Sequence, residues 1–139
     1  RIRIVADRLD GLMPVGALAE AREVHSFLVE KLLPHEKAEE EAFYPAVARL
    51  LGGDDPTGTM VRAHVEIVHL TRVLGGLLED LEPEGPLVED LPELRRVLYG
   101  LHAILRLHFA QEEEAYLSLV EVQPEPAGAL SGRPGTPKR

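Results

Sequence analysis

The sequence predicts an all-α domain built as an up-down-up-down four-helix bundle. The chain has 139 residues, about one domain, and can bury roughly two-thirds of the surface that its unfolded form exposes. It has no Trp, three Phe and three Tyr, so aliphatic residues supply nearly all of its apolar content, which suits packed helices better than a sheet. Apolar residues recur every three or four positions through four stretches separated by Gly and Pro, and short connections favour antiparallel neighbours.

The first predicted helix is truncated, because the chain starts at Arg1 without a Met and already within an apolar pattern. We expect the sequence to be an excerpt of a longer protein or a chain that has been trimmed. The pattern stops before Pro14 and consists of Ile2, Val5, Ala6 and Leu9. The second predicted helix is long, from about Val15 to Leu51. Proline removes a backbone hydrogen bond, so a kink is predicted at Pro34 and a second bend at Pro45.

The third and fourth helices complete the predicted bundle. The third starts near Thr57 and ends before Pro83, and the fourth runs from Leu91-Pro92 through Leu119. In this topology the second and fourth helices run parallel across a diagonal. From Gln123 onward Pro, Gly, Ser and charged residues prevail without apolar periodicity. We therefore predict a bundle over residues 1–120 and a disordered tail over residues 121–139.

Composition excludes several classes of function and of site. A net charge of −9 and the absence of a basic stripe argue against nucleic acid as a partner. No apolar run approaches the roughly 20 residues of a membrane span, and no signal peptide is evident, so we expect a soluble domain without direct membrane insertion. Without Cys, any metal must be held by nitrogen and oxygen, which narrows the candidates to Fe, Mn or Zn.

One pattern occurs twice in the chain: residues 35–43 and residues 108–116 both read His-x-x-x-Glu-Glu-Glu-Ala-aromatic. A His and a Glu four residues apart lie one turn above each other on the same face of a helix. Two such pairs facing each other inside a bundle make a metal site. The sequence thus predicts His35, Glu39, His108 and Glu112 as ligands, with the two glutamates as bridges.

The remaining acids of the two motifs are predicted to lie elsewhere. We expect the later members of each triplet to rotate toward the flanks and to be solvated, namely Glu40, Glu41, Glu113 and Glu114. Glu36, directly after His35, stays an open case.

Four further histidines are available as ligands. His64 lies on an apolar stripe of the third helix and, beside the two motif pairs, is predicted to be a ligand. His69 lies about 140° further round the helix and reaches the site only by convergence or a local bulge, and it is kept as a candidate. His25 is about 15 Å from His35 along the helix, and His102 points away from the inward stripe, so both are expected at the surface or between helices.

Three segments resemble the hemerythrin-like, or HHE cation-binding, family. They are Pro34-His35-x-x-x-Glu39-Glu40-x-x-Phe43-Tyr44-Pro45 on the second helix, Arg62-Ala63-His64 on the third, and Leu107-His108-Phe109-x-x-Glu112-Glu113 on the fourth. The similarity extends to Val120. It implies a centre of two non-haem iron ions, bridged by two carboxylates and an oxo or hydroxo group, with terminal imidazoles and an open position for dioxygen or another small ligand.

The chain departs from the family pattern at two places. Members usually carry a ligand His on the first helix, and this chain starts after that point. Hemerythrins also place two third-helix histidines four residues apart, whereas here Val68 follows His64 by four and His69 by five. The segment from Val5 to Leu119 further resembles the C-terminal domain of some bacterial metal-transporting P-type ATPases, which implies a cytosolic regulatory domain of a membrane transporter.

Three functions are therefore compared. The first is a binding module that binds dioxygen or senses oxygen, iron or redox status, and is not an enzyme. The alternative is a di-iron enzyme with peroxidase- or oxidase-type activity. The third is a metal-free bundle that binds a partner, which requires Glu39 and Glu112 to face outward, because unpaired carboxylates in a core are costly.

Overall fold

The structure is a computed structural model that describes Arg3, residues 14–81 and residues 87–122. Helices account for nearly all of these residues, and no strand occurs among them. The all-α prediction is confirmed to this extent. Apart from Arg3, the predicted first helix lies outside the described residues, as do residues 123–139 of the predicted tail. Residues 121 and 122, which the prediction places in the tail, belong to the last helix.

The first described helix, α1, runs over residues 14–51 and contains two wider π turns. It consists of α-helical Pro14–Phe27, a π turn at Leu28–Leu32, α-helical Leu33–Ala38, a second π turn at Glu39–Phe43 and α-helical Tyr44–Leu51. In the π turns the N–H groups of Leu33 and Tyr44 donate to carbonyl oxygens five residues earlier. Pro34 and Pro45 each stand at the start of the segment that follows a π turn. The helix therefore continues through both predicted bends, with a wider turn ahead of each proline.

Two further long helices complete the described fold. Helix α2 spans Gly58–Asp80, and helix α3 spans Leu91–Val122 after a short 3₁₀ turn at Val88–Asp90. Gly52 and Gly53 end α1 with φ of 64° and 92°, a left-handed backbone that glycine adopts without steric cost. No helix in the described ranges combines the length and apolar character needed to cross a membrane.

The three helices pack around two apolar clusters. The larger is built from Leu18 to Leu32 of α1, Ile67 to Leu78 of α2 and Leu94 to Leu105 of α3. The smaller is built from Tyr44, Val47, Met60 and Ala115. Because residue numbers fall along α2 as they rise along α1 and α3, α2 is antiparallel to both, and α1 and α3 are parallel. Each fully buried leucine stabilises the fold by roughly 2 kcal/mol, so the larger cluster is the main stabilising core.

Candidate metal centre

A group of five ionisable side chains lies between the two apolar clusters. It consists of Glu36, Glu39, His64, His108 and Glu112, each offering one nitrogen or oxygen atom, and these atoms all lie within 4.8 Å of one another. Helix α1 supplies two carboxylates, α2 one imidazole, and α3 an imidazole and a carboxylate. All three described helices therefore converge on one point in the interior.

The two imidazoles face each other at the centre of the group. Their Nε2 atoms are 2.9 Å apart. His108 Nε2 also lies 2.9 Å from Glu112 Oε1 and 2.9 Å from Glu36 Oε2, while His64 Nε2 contacts Glu36 directly and is 3.9 Å from Glu112 Oε1. The nitrogen and oxygen atoms of these four side chains are thus directed at one small volume.

Several polar atoms of the group lack a hydrogen-bond partner in the described part of the chain. They include Glu36 Oε1 and Glu39 Oε2, which are fully buried. An unsatisfied buried carboxylate oxygen is costly, and a cation placed among these atoms would offset that cost. Imidazole nitrogen and carboxylate oxygen are the donors that Fe, Mn and Zn accept in proteins. The residues present therefore fit a metal ion of this class.

The electrostatics of the group reflect carboxylates crowded around two imidazoles. Burial favours a neutral imidazole, but the adjacent carboxylates, Glu112 foremost, outweigh it and raise the pKa of His64 to about 10 and that of His108 to about 9. Burial and the neighbouring Glu112 raise the pKa of Glu39 to about 7. Burial also opposes ionisation of Glu112 and Glu36, but hydrogen bonds from the two imidazoles hold the pKa of both carboxyls below its usual value. In the absence of metal, protons supply the positive charge that these carboxylates require.

A family profile described as the hemerythrin HHE cation binding domain matches residues 1–120 of the chain. The chain belongs to the hemerythrin HHE cation-binding family. Separate comparisons with curated proteins and with solved structures returned no match. The buried His and Glu group of this HHE domain is thus a metal-ligand cluster in a family described by cation binding.

The structure brings four of the six predicted ligands together, and it places two elsewhere. Glu39, His64, His108 and Glu112 all belong to the five-residue group. The side chain of His35 is 59% exposed, with Nε2 3.0 Å from Glu39 Oε1, so it contacts the group from outside. His69 is exposed and lines a cleft beside His64. The two copies of the HHE-domain motif are therefore not equivalent, because His108 is fully buried where His35 is not.

Glu36 occupies the inward position on α1 that the sequence pattern had suggested for His35. The buried stripe of α1 advances from Leu28 to Leu32 to Glu36 in steps of four residues, through and beyond the first π turn. That four-residue step was visible in the sequence and identifies Glu36. The motif alignment instead favoured His35.

Two further side chains of the HHE domain touch His64. Tyr44 is buried and its hydroxyl lies 2.8 Å from His64 Nε2 and donates to Glu112 Oε1 at 2.9 Å. Glu40 Oε1 lies 2.6 Å from His64 Nδ1. Glu40 is exposed, as expected, but one of its oxygens is also a hydrogen-bond partner of a buried imidazole, which the sequence did not indicate.

His25 and His102 lie apart from the centre, as predicted. His25 packs across α1 and α2 against Gly75, where an added Cβ would come within 2.7 Å of His25 Nε2. His102 lines an apolar groove between α1 and α3. Neither belongs to the metal-ligand group of the HHE domain.

The stability of the metal-free domain is expected to fall as pH rises. The pKa values of His64 and His108 lie above their ordinary 6.5, so their stabilising effect is complete below 6.5 and is lost as pH rises through about 9 to 10. Glu39 acts in the same direction between 4.5 and about 7. Thermal unfolding with a chelator present should therefore show a loss on the order of a few kcal/mol between pH 5 and pH 10. A midpoint that rises over this interval would contradict the assigned charges.

Proposed function

We propose that this domain binds two non-haem iron ions linked by an oxo or hydroxo group, and that it binds dioxygen or senses oxygen, iron or redox status. The observation that carries the proposal is the buried group of three carboxylates and two imidazoles. Family membership supports cation binding by these residues.

The number and type of donors favour two ions over one. Three carboxylates offer six oxygen atoms, and carboxylates can bridge two cations. Glu39 and Glu112 come from different helices and are close enough to share a hydrogen bond, so they are the bridges of the proposal. Two divalent ions carry four positive charges and the three carboxylates carry three negative charges. One positive charge remains, and a hydroxide would balance it. His35 is proposed as a terminal ligand, because its Nε2 atom lies 3.0 Å from Glu39 Oε1 and so is next to the group.

The surroundings of the group favour binding over turnover. Apolar side chains lie on both sides along the bundle, with Leu32 and Leu105 on one side and Val47 and Ala115 on the other. These residues exclude water from both ends of the group and leave little to anchor a large substrate. When bound, the ions would supply a redox-active centre with an open position for a small ligand. The chain's own residues would hold them and screen them from solvent.

The proposal includes a regulatory role within a larger protein, such as a metal transporter, and this part rests on the resemblance of residues 5–119 described above. In that setting the domain would report occupancy or oxidation state of its centre to the rest of the protein. The alternative is an oxidase or peroxidase, in which Tyr44, in contact with both His64 and Glu112, would be a redox-active neighbour of the ions.

The direct test is to load the purified domain anaerobically with ferrous iron, measure the ratio of iron to protein, and record the visible spectrum before and after admission of air. We expect two irons per chain and near-ultraviolet charge-transfer bands of an oxo-bridged ferric pair after oxidation. One iron, or none, would contradict the proposed centre. Rapid and saturable consumption of peroxide by the loaded protein would favour the enzyme, whereas slow autoxidation alone would favour the binding module.

A further inference from the structure

His64 is held on both of its ring nitrogens. Nε2 faces the metal-ligand group, while Nδ1 faces the opposite way and lies 2.6 Å from Glu40 Oε1. His108 differs, because its Nδ1 is buried and has no hydrogen-bond partner among the described residues. Among the described residues, His64 is therefore the imidazole of the centre whose Nδ1 atom has a carboxylate as its hydrogen-bond partner.

We infer that Glu40 is a positioning residue of the metal centre: it accepts the Nδ1–H hydrogen bond of His64 and so directs the Nε2 lone pair toward the metal. This inference rests on the proposed metal binding. A neutral imidazole carries its proton on one nitrogen and its lone pair on the other. A carboxylate that accepts from Nδ1–H fixes the tautomer that leaves Nε2 free, and it makes that nitrogen a stronger donor.

The position of Glu40 on α1 explains how one helix holds the ring. Glu36, Glu40 and Tyr44 follow one another at four-residue spacing, through the second π turn. Glu36 contacts Nε2 of His64, Glu40 contacts Nδ1, and the ring of Tyr44 stacks on the imidazole at 5.2 Å with an angle of 26° between the planes. The orientation of His64 is thus determined by three successive turns of α1.

Glu40 also stands between the centre and solvent. Its side chain is 41% exposed, and it lines a cleft of about 600 Å³ together with His64, Val68, His69 and Arg72. Water in this cleft can replace part of the interaction when the carboxylate is removed. Loss of Glu40 is therefore expected to weaken metal binding without abolishing it, by roughly 10- to 100-fold.

The test compares Glu40→Ala and Glu40→Gln with a matched control, Glu41→Ala. Glu41 is the next residue of the same triplet, but its side chain is 68% exposed and lies near Lys37, away from the centre. Affinity for Zn²⁺ is measured by competition with a chromophoric chelator. Nitrogen-15 NMR of the histidine rings, in the metal-free and Zn²⁺-loaded proteins, reports which nitrogen carries the proton. Circular dichroism confirms that each variant is folded.

We expect wild type and Glu41→Ala to bind Zn²⁺ equally and to show a protected, downfield Nδ1–H signal from His64. Glu40→Ala should lose this signal and bind roughly 10- to 100-fold more weakly. Glu40→Gln retains a carbonyl acceptor and should keep the signal with a smaller loss of affinity. Equal affinity of Glu40→Ala and Glu41→Ala, or a His64 that binds Zn²⁺ through Nδ1, would overturn the role of Glu40 alone. Failure of the wild type itself to bind metal would overturn the proposed function and this inference with it.

Discussion

The double variant Glu39→Ala/Glu112→Ala is expected to lose stoichiometric iron binding. These two carboxylates come from different helices and lie together at the centre of the buried group, so their removal takes away both proposed bridges. The two imidazoles and Glu36 that remain cannot neutralise two divalent ions. The measurement is the ratio of iron to protein after anaerobic loading and desalting, which should fall from about two to near zero if the donor set is as proposed.

A matched control separates loss of ligands from loss of charge. The variant Glu41→Ala/Glu113→Ala removes the same number of carboxylates from the same two motifs, but at exposed positions. It should bind iron like the wild type. Both variants should remain helical by circular dichroism, because neither alters the two apolar clusters. Wild-type iron content in Glu39→Ala/Glu112→Ala would show that these glutamates are not the bridges.

Removal of metal is expected to lower the thermal stability of the domain substantially. An ion that binds only the folded state adds about 4 kcal/mol when its free concentration is about 1,000 times its dissociation constant. For a domain of this size that corresponds to roughly 10 °C in the unfolding midpoint. Unfolding is followed by circular dichroism in the loaded protein and after treatment with a chelator. Coincident transitions would contradict an ion held by the buried group, and Glu39→Ala/Glu112→Ala should show no metal-dependent shift.

Much of the centre could be predicted from periodicity and spacing. His108 and Glu112 follow the inward stripe of α3, and His64 lies on the inward stripe of α2, where regular α-helical geometry holds over many turns. The all-α class could likewise be predicted from the scarcity of aromatic residues and from the Gly and Pro residues that separate the helical stretches. These features depend on local rules that the sequence shows.

The differences between the sequence-based expectations and the structure concentrate on α1, where the helix is not regular. Two π turns change the number of residues per turn beside Pro34 and Pro45. Ideal α-helical geometry places His35, seven residues after Leu28, on the buried stripe. The π turn instead advances the stripe in steps of four residues, so Glu36 lies in the group and His35 contacts it from outside. The repeated motif also suggested that His35 and His108 have equivalent positions. The first copy, however, follows a proline and a π turn, whereas the second lies in an uninterrupted helix. The interactions of Glu40 and Tyr44 with His64 depend on tertiary packing that no single helix reveals.

The location of the centre between two unequal apolar clusters has a consequence for local unfolding. The end of the bundle beyond the centre, with Tyr44, Val47, Met60 and Ala115, has little apolar surface of its own to prevent opening. An ion bound to all three helices would hold them together at the point where this end of the bundle begins. Amide hydrogen exchange should then slow on metal binding mainly from Tyr44 to Leu51 and in the first turns of α2. The protection of the larger cluster would change little, so the metal would determine how far along the bundle the cooperative unit extends.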